Sequence, residues 1–221
     1  MKCMDSAIFL AYGVAYLALL VWGIKLATRR GWARAAMLPV LVVAALAYDN
    51  LILGVGKSIG QGPLLAHLNA WRFGLTVLTP LLFVWAVDSL ARADIRFFRG
   101  AWVKPITWII AIVLIATTYL REIKGLSLKL RDEYGALSYT SAETAGVPLV
   151  PVIVSIVLLI AGVLLWKKKG WPWLFIGSAL MTVASAVQIP VSSNAATNAF
   201  ELILLISIVA TTAFQDRKFA S

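Results

Sequence analysis

The chain of 221 residues contains one cysteine and one histidine, Cys3 and His67. A single cysteine excludes an intrachain disulfide. A structural zinc site takes four ligands drawn mainly from Cys and His, so this chain has too few of them. We therefore predict no disulfide framework, no bound metal and no cofactor.

Charged residues are also scarce, at 14% of the chain, whereas 61% is apolar. A soluble domain carries about 25% charged and about 45–50% apolar residues. A chain of this length has no interior large enough to hold the excess apolar surface, so its solvent must be lipid. We predict an all-α integral membrane protein, formed by a single polytopic domain over residues 1–221.

Seven apolar runs come close to the length of about 20 residues that crosses a bilayer core. We interpret the first run as a helix and not as a cleaved signal, because the preceding residues offer a single Lys offset by an Asp. The predicted spans are residues 7–27, 34–55, 69–91, 102–120, 147–166, 171–189 and 197–214.

Lys and Arg residues are unevenly divided between the connections. The first, third and fifth connections and the C-terminal tail carry 13 of the 20. Positive loops face the cytoplasm, so we expect the N-terminus outside, the C-terminus inside and the protein in the cell or inner membrane. The same distribution explains the net charge of +10 without a nucleic-acid partner.

The long fourth connection has an internal pattern. Leu126, Leu128 and Leu130 alternate with polar residues, and the alternation resumes at Leu137 and Tyr139 after a break. Alternation on both sides of a turn predicts a β-hairpin, here over residues 124–141. A solvated loop is the alternative. On the outer face, such a hairpin could act as a lid.

Two short patterns recur in the two halves of the chain. Arg30-Gly31-Trp32 resembles Lys169-Gly170-Trp171, and residues 69–73 resemble residues 198–202. The matches favour a parallel 3+1+3 repeat, as in some carriers, with the fourth span as a linker. Chance similarity between loops is the alternative.

Several polar residues fall within or beside the predicted spans, near the outer face. Ionisable groups at membrane depth are costly and usually face the bundle interior. Asp49 and Glu201 are the candidate catalytic acids, and Arg72 lies at a similar depth. The remaining candidate substrate-binding residues are Tyr12, Tyr16, Tyr48, Asn50, His67, Gln188, Asn194 and Asn198.

This polar cluster has two interpretations. In the first it is a structural staple, in which Arg72 neutralises either Asp49 or Glu201. In the second it forms a pocket. Because one Arg cannot fully neutralise two carboxylates, we expect the second acid to be protonated in its buried site. A protonated carboxylic acid in an apolar cavity can donate a proton.

Four further local features carry predictions. Asp88 and Arg92 are spaced for a structural i,i+4 ion pair. Pro80 should kink the third span, where Thr79 could satisfy a freed backbone group. The glycines between residues 54 and 62 suggest a tight re-entrant turn. Trp71 and Trp85 could line a pocket or face lipid.

Some membrane enzymes and receptors are excluded. The last predicted span, residues 197–214, contains no lysine, and a retinal protein needs one for its Schiff base. A single histidine excludes the metal-dependent membrane hydrolases that need several. No Gly-x-Ser-x-Gly nucleophile motif is present.

The block from Tyr48-Asp49-Asn50 through Arg72-Phe73 to Thr79-Pro80 resembles an uncharacterised multispan family and implies no function. In the placement of Asp49 and Glu201, the chain resembles the integral-membrane terpene cyclases of meroterpenoid and indole-terpenoid pathways. The residues around Asp49 depart from the aromatic-acid signature of that family. The resemblance implies metal-independent, acid-initiated cyclisation of an isoprenoid in an aromatic-lined cavity, with Asp49 and Glu201 catalytic.

Two other classes stay open. A small-solute carrier or seven-helix receptor would place polar residues between its halves, although a site away from the midplane disfavours alternating access. An accessory membrane subunit would use the polar cluster for structure alone. The expected partners are the lipid bilayer and a hydrophobic small molecule.

Overall fold

The computed structural model describes residues 4–29, 35, 37–133, 135–142, 149–186 and 195–218. These residues form eight α-helices and one pair of strands. The elements are α1 (Met4–Arg29), α2 (Met37–Ile59), α3 (Pro63–Leu75), α4 (Leu81–Arg92), α5 (Val103–Thr118), β1 (Leu128–Glu133), β2 (Ala136–Ser141), α6 (Leu149–Lys169), α7 (Trp173–Ala186) and α8 (Ala195–Lys218).

Six helical segments in the described part of the chain are long and apolar enough to cross a membrane. The chain is therefore an all-α, multi-pass membrane protein, as predicted from its composition. The predicted sixth span, residues 171–189, corresponds to α7, whose apolar stretch Trp173–Ala184 is shorter than the others. The six segments are Asp5–Arg29, Met37–Ile59, Pro63–Arg92, Val103–Ile123, Leu149–Lys169 and Ala195–Asp216.

The helices pack closely where small residues meet a neighbouring helix. A Cβ atom on Gly13 of α1 would overlap the side chain of Leu51 in α2. A Cβ atom on Gly162 of α6 would overlap the backbone of Phe175 in α7. In lipid the hydrophobic effect does not draw helices together. Small residues at the helix interfaces instead allow close van der Waals contact, which holds the helices against each other. The largest buried side chains at the centre of the bundle include Tyr16 and Leu158.

Strands β1 and β2 pair in antiparallel register from Leu128–Ser141 to Glu133–Ala136, inside the interval 124–141 where alternation predicted a hairpin. The hairpin is docked on the helices. The Ser6 hydroxyl of α1 donates to the Gly135 carbonyl oxygen at 2.7 Å, and Gly56 of α2 lies against the Leu137 carbonyl. We call this end of the bundle the hairpin end, and the other the opposite end.

The predicted re-entrant turn over residues 54–63 is wrong in its extent. Gly54 and Gly56 lie within α2, which continues to Ile59. Gly60, with φ of 79°, ends the helix in the left-handed region that favours glycine, and Pro63 takes the first position of α3. The two early glycines admit α1 and the hairpin to the surface of α2, so they serve packing and not a turn.

Near Pro80, where a kink was predicted, the third segment is interrupted. Helix α3 ends at Leu75, a 3-10 turn covers Thr76–Leu78 and α4 begins at Leu81. Proline has no backbone N–H and clashes with a continuing helix. The hydroxyl that bonds the local backbone belongs to Thr76, which donates to the Phe73 carbonyl oxygen at 2.7 Å, and not to the predicted Thr79. The segment also begins at Pro63, six residues before the predicted start.

At the opposite end, Arg92 of α4 holds two carboxylates. Its Nε donates to Asp88 Oδ2 at 2.6 Å, which confirms the predicted i,i+4 pair. Its Nη1 lies 3.8 Å from Asp216 Oδ1 in α8. Nearby, Gln215 Nε2 donates to the Ser89 carbonyl oxygen at 2.9 Å. These contacts tie the C-terminal ends of α4 and α8 together.

Candidate functional site

A cavity of about 280 Å³ lies among α2, the broken α3–α4 segment, α6 and α8. Aliphatic side chains such as Leu46, Leu82 and Leu158 form much of its wall. The polar residues that line it are Asp49, Arg72, Thr76, Thr79, Thr118, Glu122, Ser155, Asn198 and Glu201. Asp49, Arg72, Asn198 and Glu201, which sequence analysis singled out, thus lie on one cavity.

Arg72 of α3 pairs with Asp49 of α2. The Nε atom lies 2.7 Å from Asp49 Oδ1, and the two side chains retain only 14% and 25% of their exposure. Arg72 Nη1 donates to Asn69 Oδ1 at 2.6 Å, and Asn69 Nδ2 donates to the Leu65 carbonyl oxygen at 2.7 Å. The amide of Asn69 therefore fixes the orientation of the guanidinium, and the choice left open between two carboxylates falls on Asp49.

Glu201 of α8 has no such partner. Its half-buried side chain lines the cavity. Within the described ranges, no hydrogen bond or ion pair joins its carboxyl group to another residue. A carboxyl group thus lines this cavity with no ion-pair partner in the described part of the chain.

A third carboxyl group, that of Glu122, also lines the cavity. It lies in the single π turn Tyr119–Ile123 that follows α5. It is not among the site residues predicted from the sequence, because it falls in the fourth connection, two residues beyond the predicted fourth span. The described wall therefore holds three carboxyl groups against one guanidinium, and it favours a proton or a positive charge inside.

Two buried amides join α2 and α8 beside the cavity. Asn198 Nδ2 donates to Asn50 Oδ1 at 2.9 Å, and Asn50 Nδ2 donates to the Leu46 carbonyl oxygen at 2.9 Å. Hydrogen bonds between helices satisfy amides that would otherwise be costly in lipid. The pair positions α8, and hence Glu201, against α2.

Tyr16 of α1 is fully buried, and its hydroxyl has no hydrogen-bond partner among the described residues. Tyr12, one turn earlier, is half-buried and packs against the apolar core. Neither of the two predicted tyrosines of α1 is among the described residues that line the cavity.

Two other predicted site residues lie away from the cavity wall. The Tyr48 hydroxyl donates to the Leu68 carbonyl oxygen at 3.0 Å and so fastens α2 to α3. His67 is exposed, and its Nδ1 lies 2.7 Å from the Pro63 carbonyl oxygen. Both sit on faces of their helices that turn away from the cavity. Gln188 and Asn194 fall outside the described residues.

The tryptophans considered for the pocket do not line it. Trp71 is 69% exposed, and buried Trp85 donates from Nε1 to Thr212 Oγ1 at 3.1 Å toward the opposite end. None of the described residues that line the cavity is aromatic. The aromatic wall implied by the cyclase resemblance is thus missing from the described part of the cavity.

No group of three or more His, Cys, Asp or Glu in the described residues is arranged to hold a metal ion. No family model, curated protein or solved structure matches the chain.

Proposed function

We propose that the chain binds an amphipathic, lipid-like molecule in this cavity and acts on it with Glu201 as the proton donor. The observation that carries the proposal is that Asp49 has an ion-pair partner among the described residues and Glu201 does not. Arg72 neutralises Asp49 at 2.7 Å, whereas Glu201, which lines the same cavity, has no ion-pair partner among the described residues. Desolvation without a counter-charge favours the protonated, proton-donating form of a carboxyl group.

The specific reaction we propose is the acid-initiated cyclisation of an isoprenoid. Glu201 transfers its proton to a terminal olefin carbon or an epoxide oxygen, and an internal double bond of the substrate closes on the resulting cation. Loss of a proton from the carbon beside the final cation regenerates a double bond, and a carboxylate of the cavity accepts that proton. The net change is an isomerisation, which needs neither a metal nor a redox cofactor.

The charges of the wall suit such an intermediate. The carboxyl groups of Asp49 and Glu122 both line the cavity, where their oxygens could stabilise a developing cation. Because the described wall lacks aromatic faces, stabilisation would come from carboxylates and not from cation–π contacts. Asp49 accordingly becomes a fixed charge and Glu201 the acid, a division of roles that the resemblance alone does not make.

The size of the cavity limits what enters it. A volume of about 280 Å³ lies just below the range of about 300–1,000 Å³ for small-molecule sites. It is roughly twice that of a ~150 Å³ cavity that holds benzene. We propose that only the reacting end of the substrate enters, while the rest of the chain stays in lipid.

We further propose seven spans, with the hairpin end outside the cytoplasm. Helix α6 ends in Lys167–Lys169 at the opposite end, and α8 begins beside Asn50 near the hairpin end. Helix α7 joins these two ends and so would cross as well. The basic connections then share the cytoplasmic side of a cell or inner membrane. The parallel repeat stays a prediction that rests on the sequence.

A small-solute carrier is the second candidate, and one observation favours it. The α3–α4 segment is broken between Leu75 and Leu81, and Thr76 and Thr79 of the break line the cavity. Broken helices form the binding sites of many carriers. An accessory subunit, in which the Asp49–Arg72 pair is only a staple, is the third possibility.

The test is mass spectrometry of organic extracts from cells that express the protein and are supplied with farnesyl- and geranylgeranyl-bearing precursors. The wild type and Asp88→Asn, the matched control at the opposite end, should both give a cyclised product. Glu201→Gln should give none while it retains the melting temperature of the wild type.

Three results would contradict the cyclase. A product that survives Glu201→Gln would remove the proposed acid. No product from any variant, together with substrate-dependent flux of a labelled solute into proteoliposomes, would establish the carrier. Neither product nor flux, with Asp49→Asn and Glu201→Gln both lowering the melting temperature, would leave the structural staple.

A further inference from the structure

A second cavity, of about 500 Å³, lies at the opposite end between α4 and α5. It shares no lining residue with the cavity that holds Glu201. Its wall is formed by Ala35, Leu38, Val84, Val87, Asp88, Ala91, Arg92, Phe98, Lys104, Thr107 and Trp108. It therefore belongs to no part of the function proposed above.

The unneutralised charge in this wall is positive. The acid that lines it, Asp88, is bound by Arg92 at 2.6 Å. Lys104, in the first turn of α5, is exposed and has no hydrogen-bond or ion-pair partner among the described residues. Arg96, in the turn that carries Phe98, is exposed and likewise has no partner in the described part of the chain. An anion at the cavity mouth would meet Lys104 as a free ammonium group.

Aromatic and aliphatic surface surrounds that ammonium group. Phe98 and Trp108 line the cavity, and exposed Phe97 packs edge-on against Trp102 at 5.3 Å between ring centroids. Aromatic residues concentrate at the level of the lipid headgroups. Helix α5 continues from there with apolar side chains that face outward. The most exposed of them are Ile109 at 60%, Ile112 at 60% and Val113 at 57%.

We infer that this cavity binds an anionic phospholipid. The Lys104 ammonium group would hold the phosphate, the Trp108 ring would lie beside the glycerol region, and the acyl chains would run along the exposed face of α5. Basic pockets between membrane helices bind anionic headgroups in this way. The apolar face that continues from the cavity distinguishes a lipid from a free phosphate ion, which would use the ammonium group alone.

Lipid retention measured by native mass spectrometry of the full chain in detergent tests the inference. The probes are phosphatidylglycerol and phosphatidylcholine with identical acyl chains. The wild type should retain phosphatidylglycerol preferentially, and Lys104→Ala should reduce that preference about fivefold, the effect of one Lys at a membrane surface. Lys168→Ala removes an exposed lysine at the same end on α6, outside the cavity, and should leave the preference unchanged.

Trp108→Ala should weaken the retention of both lipids, because it removes apolar wall and no charge. Equal losses from Lys104→Ala and Lys168→Ala would show diffuse surface attraction and overturn the site. Absence of any preference in the wild type would do the same. Displacement of phosphatidylglycerol by inorganic phosphate at millimolar concentration would reduce the site to a simple anion site and overturn the role of the α5 face.

Discussion

Arg72 and Arg92 are held by aspartates at almost the same distance, with Nε–Oδ separations of 2.7 Å and 2.6 Å. They differ in what the second guanidinium nitrogen does. Arg92 Nη1 lies 3.8 Å from Asp216, whereas Arg72 Nη1 donates to the neutral amide of Asn69. At the opposite end both carboxylates thus lie beside the arginine, and at the hairpin end Glu201 pairs with no arginine in the described ranges.

This contrast distinguishes a structural ion-pair cluster at the opposite end from the proposed functional site at the hairpin end. An arginine that contacts all nearby acids ties helix ends together and leaves nothing to react. An arginine turned aside by a buried amide leaves one acid to a cavity, although the cost of a desolvated carboxyl group is high. A desolvated, unpaired carboxyl group in a membrane protein usually has a function. We therefore assign the proposed chemistry to Glu201 and not to Asp88.

The largest difference between the two ends should appear when each arginine is removed. Arg72→Met leaves Asp49 with no cation among the described residues and should lower the free energy of unfolding by about 3 kcal/mol, as for a broken buried pair. Arg92→Met should cost about 1 kcal/mol, because Lys104 lines the same cavity as Asp88. Reversible unfolding in mixed micelles measures the free energy of unfolding of both variants. Equal losses would contradict the proposed difference between the two arginines.

The contact between the hairpin and α2 gives a second stability test at the hairpin end. A Cβ atom on Gly56 of α2 would overlap the Leu137 carbonyl oxygen, so Gly56→Ala should lower the free energy of unfolding by about 1–3 kcal/mol. Gly74→Ala in α3 is the matched control, because nothing lies within 4 Å of its new methyl group. The control should be neutral or stabilising by up to about 1 kcal/mol. Similar effects at both positions would show that the hairpin does not press on α2.

The amide pair tests how α8 is positioned. Asn198→Ala leaves Asn50 Oδ1 without its 2.9 Å donor and should lower the free energy of unfolding by about 1 kcal/mol. The same variant should reduce product formation more than the stability loss explains, since Glu201 lies on the same helix. Activity that falls only in proportion to the folded fraction would mean that the pair does not position the acid.

The smallest effect is expected from the hydrogen bond between Trp85 and Thr212. Trp85→Phe removes the Nε1–H that donates to Thr212 Oγ1 at 3.1 Å, and an interhelical hydrogen bond in a membrane protein contributes about 0.6 kcal/mol on average. Product formation should not change. Loss of activity at full stability would extend the functional region to the opposite end.

Local sequence patterns predicted much of the fold. Apolar runs located the helices because lipid-facing residues must be apolar over the whole bilayer thickness, and Pro80 marked the break because proline cannot continue a helix. The glycines at 54 and 56 misled, because glycine serves close packing as well as turns. Only the position of α1 and the hairpin distinguishes the two roles.

The candidate site was predictable in part. The rarity of charge in lipid identified Asp49, Arg72 and Glu201, and the cavity gathers all three. The i,i+3 spacing places Asn69 beside Arg72 within α3, but the choice between Asp49 and Glu201 was not predictable, because it depends on how α2, α3 and α8 pack against one another. The rotation of α2 likewise turns Tyr48 toward Leu68, away from the cavity, although it adjoins Asp49 in sequence.

A double-mutant cycle on Arg72, Asp49 and Glu201 tests whether Arg72 neutralises Asp49 and leaves Glu201 without a counter-charge. The cycle combines Arg72→Met with Asp49→Asn and, separately, with Glu201→Gln, and it measures the free energy of unfolding. The account predicts a coupling of at least about 1 kcal/mol between Arg72 and Asp49, and less than about 0.5 kcal/mol between Arg72 and Glu201. A stronger coupling of Arg72 to Glu201 would show that the arginine neutralises the proposed acid, and would contradict the assignment of Glu201 as proton donor.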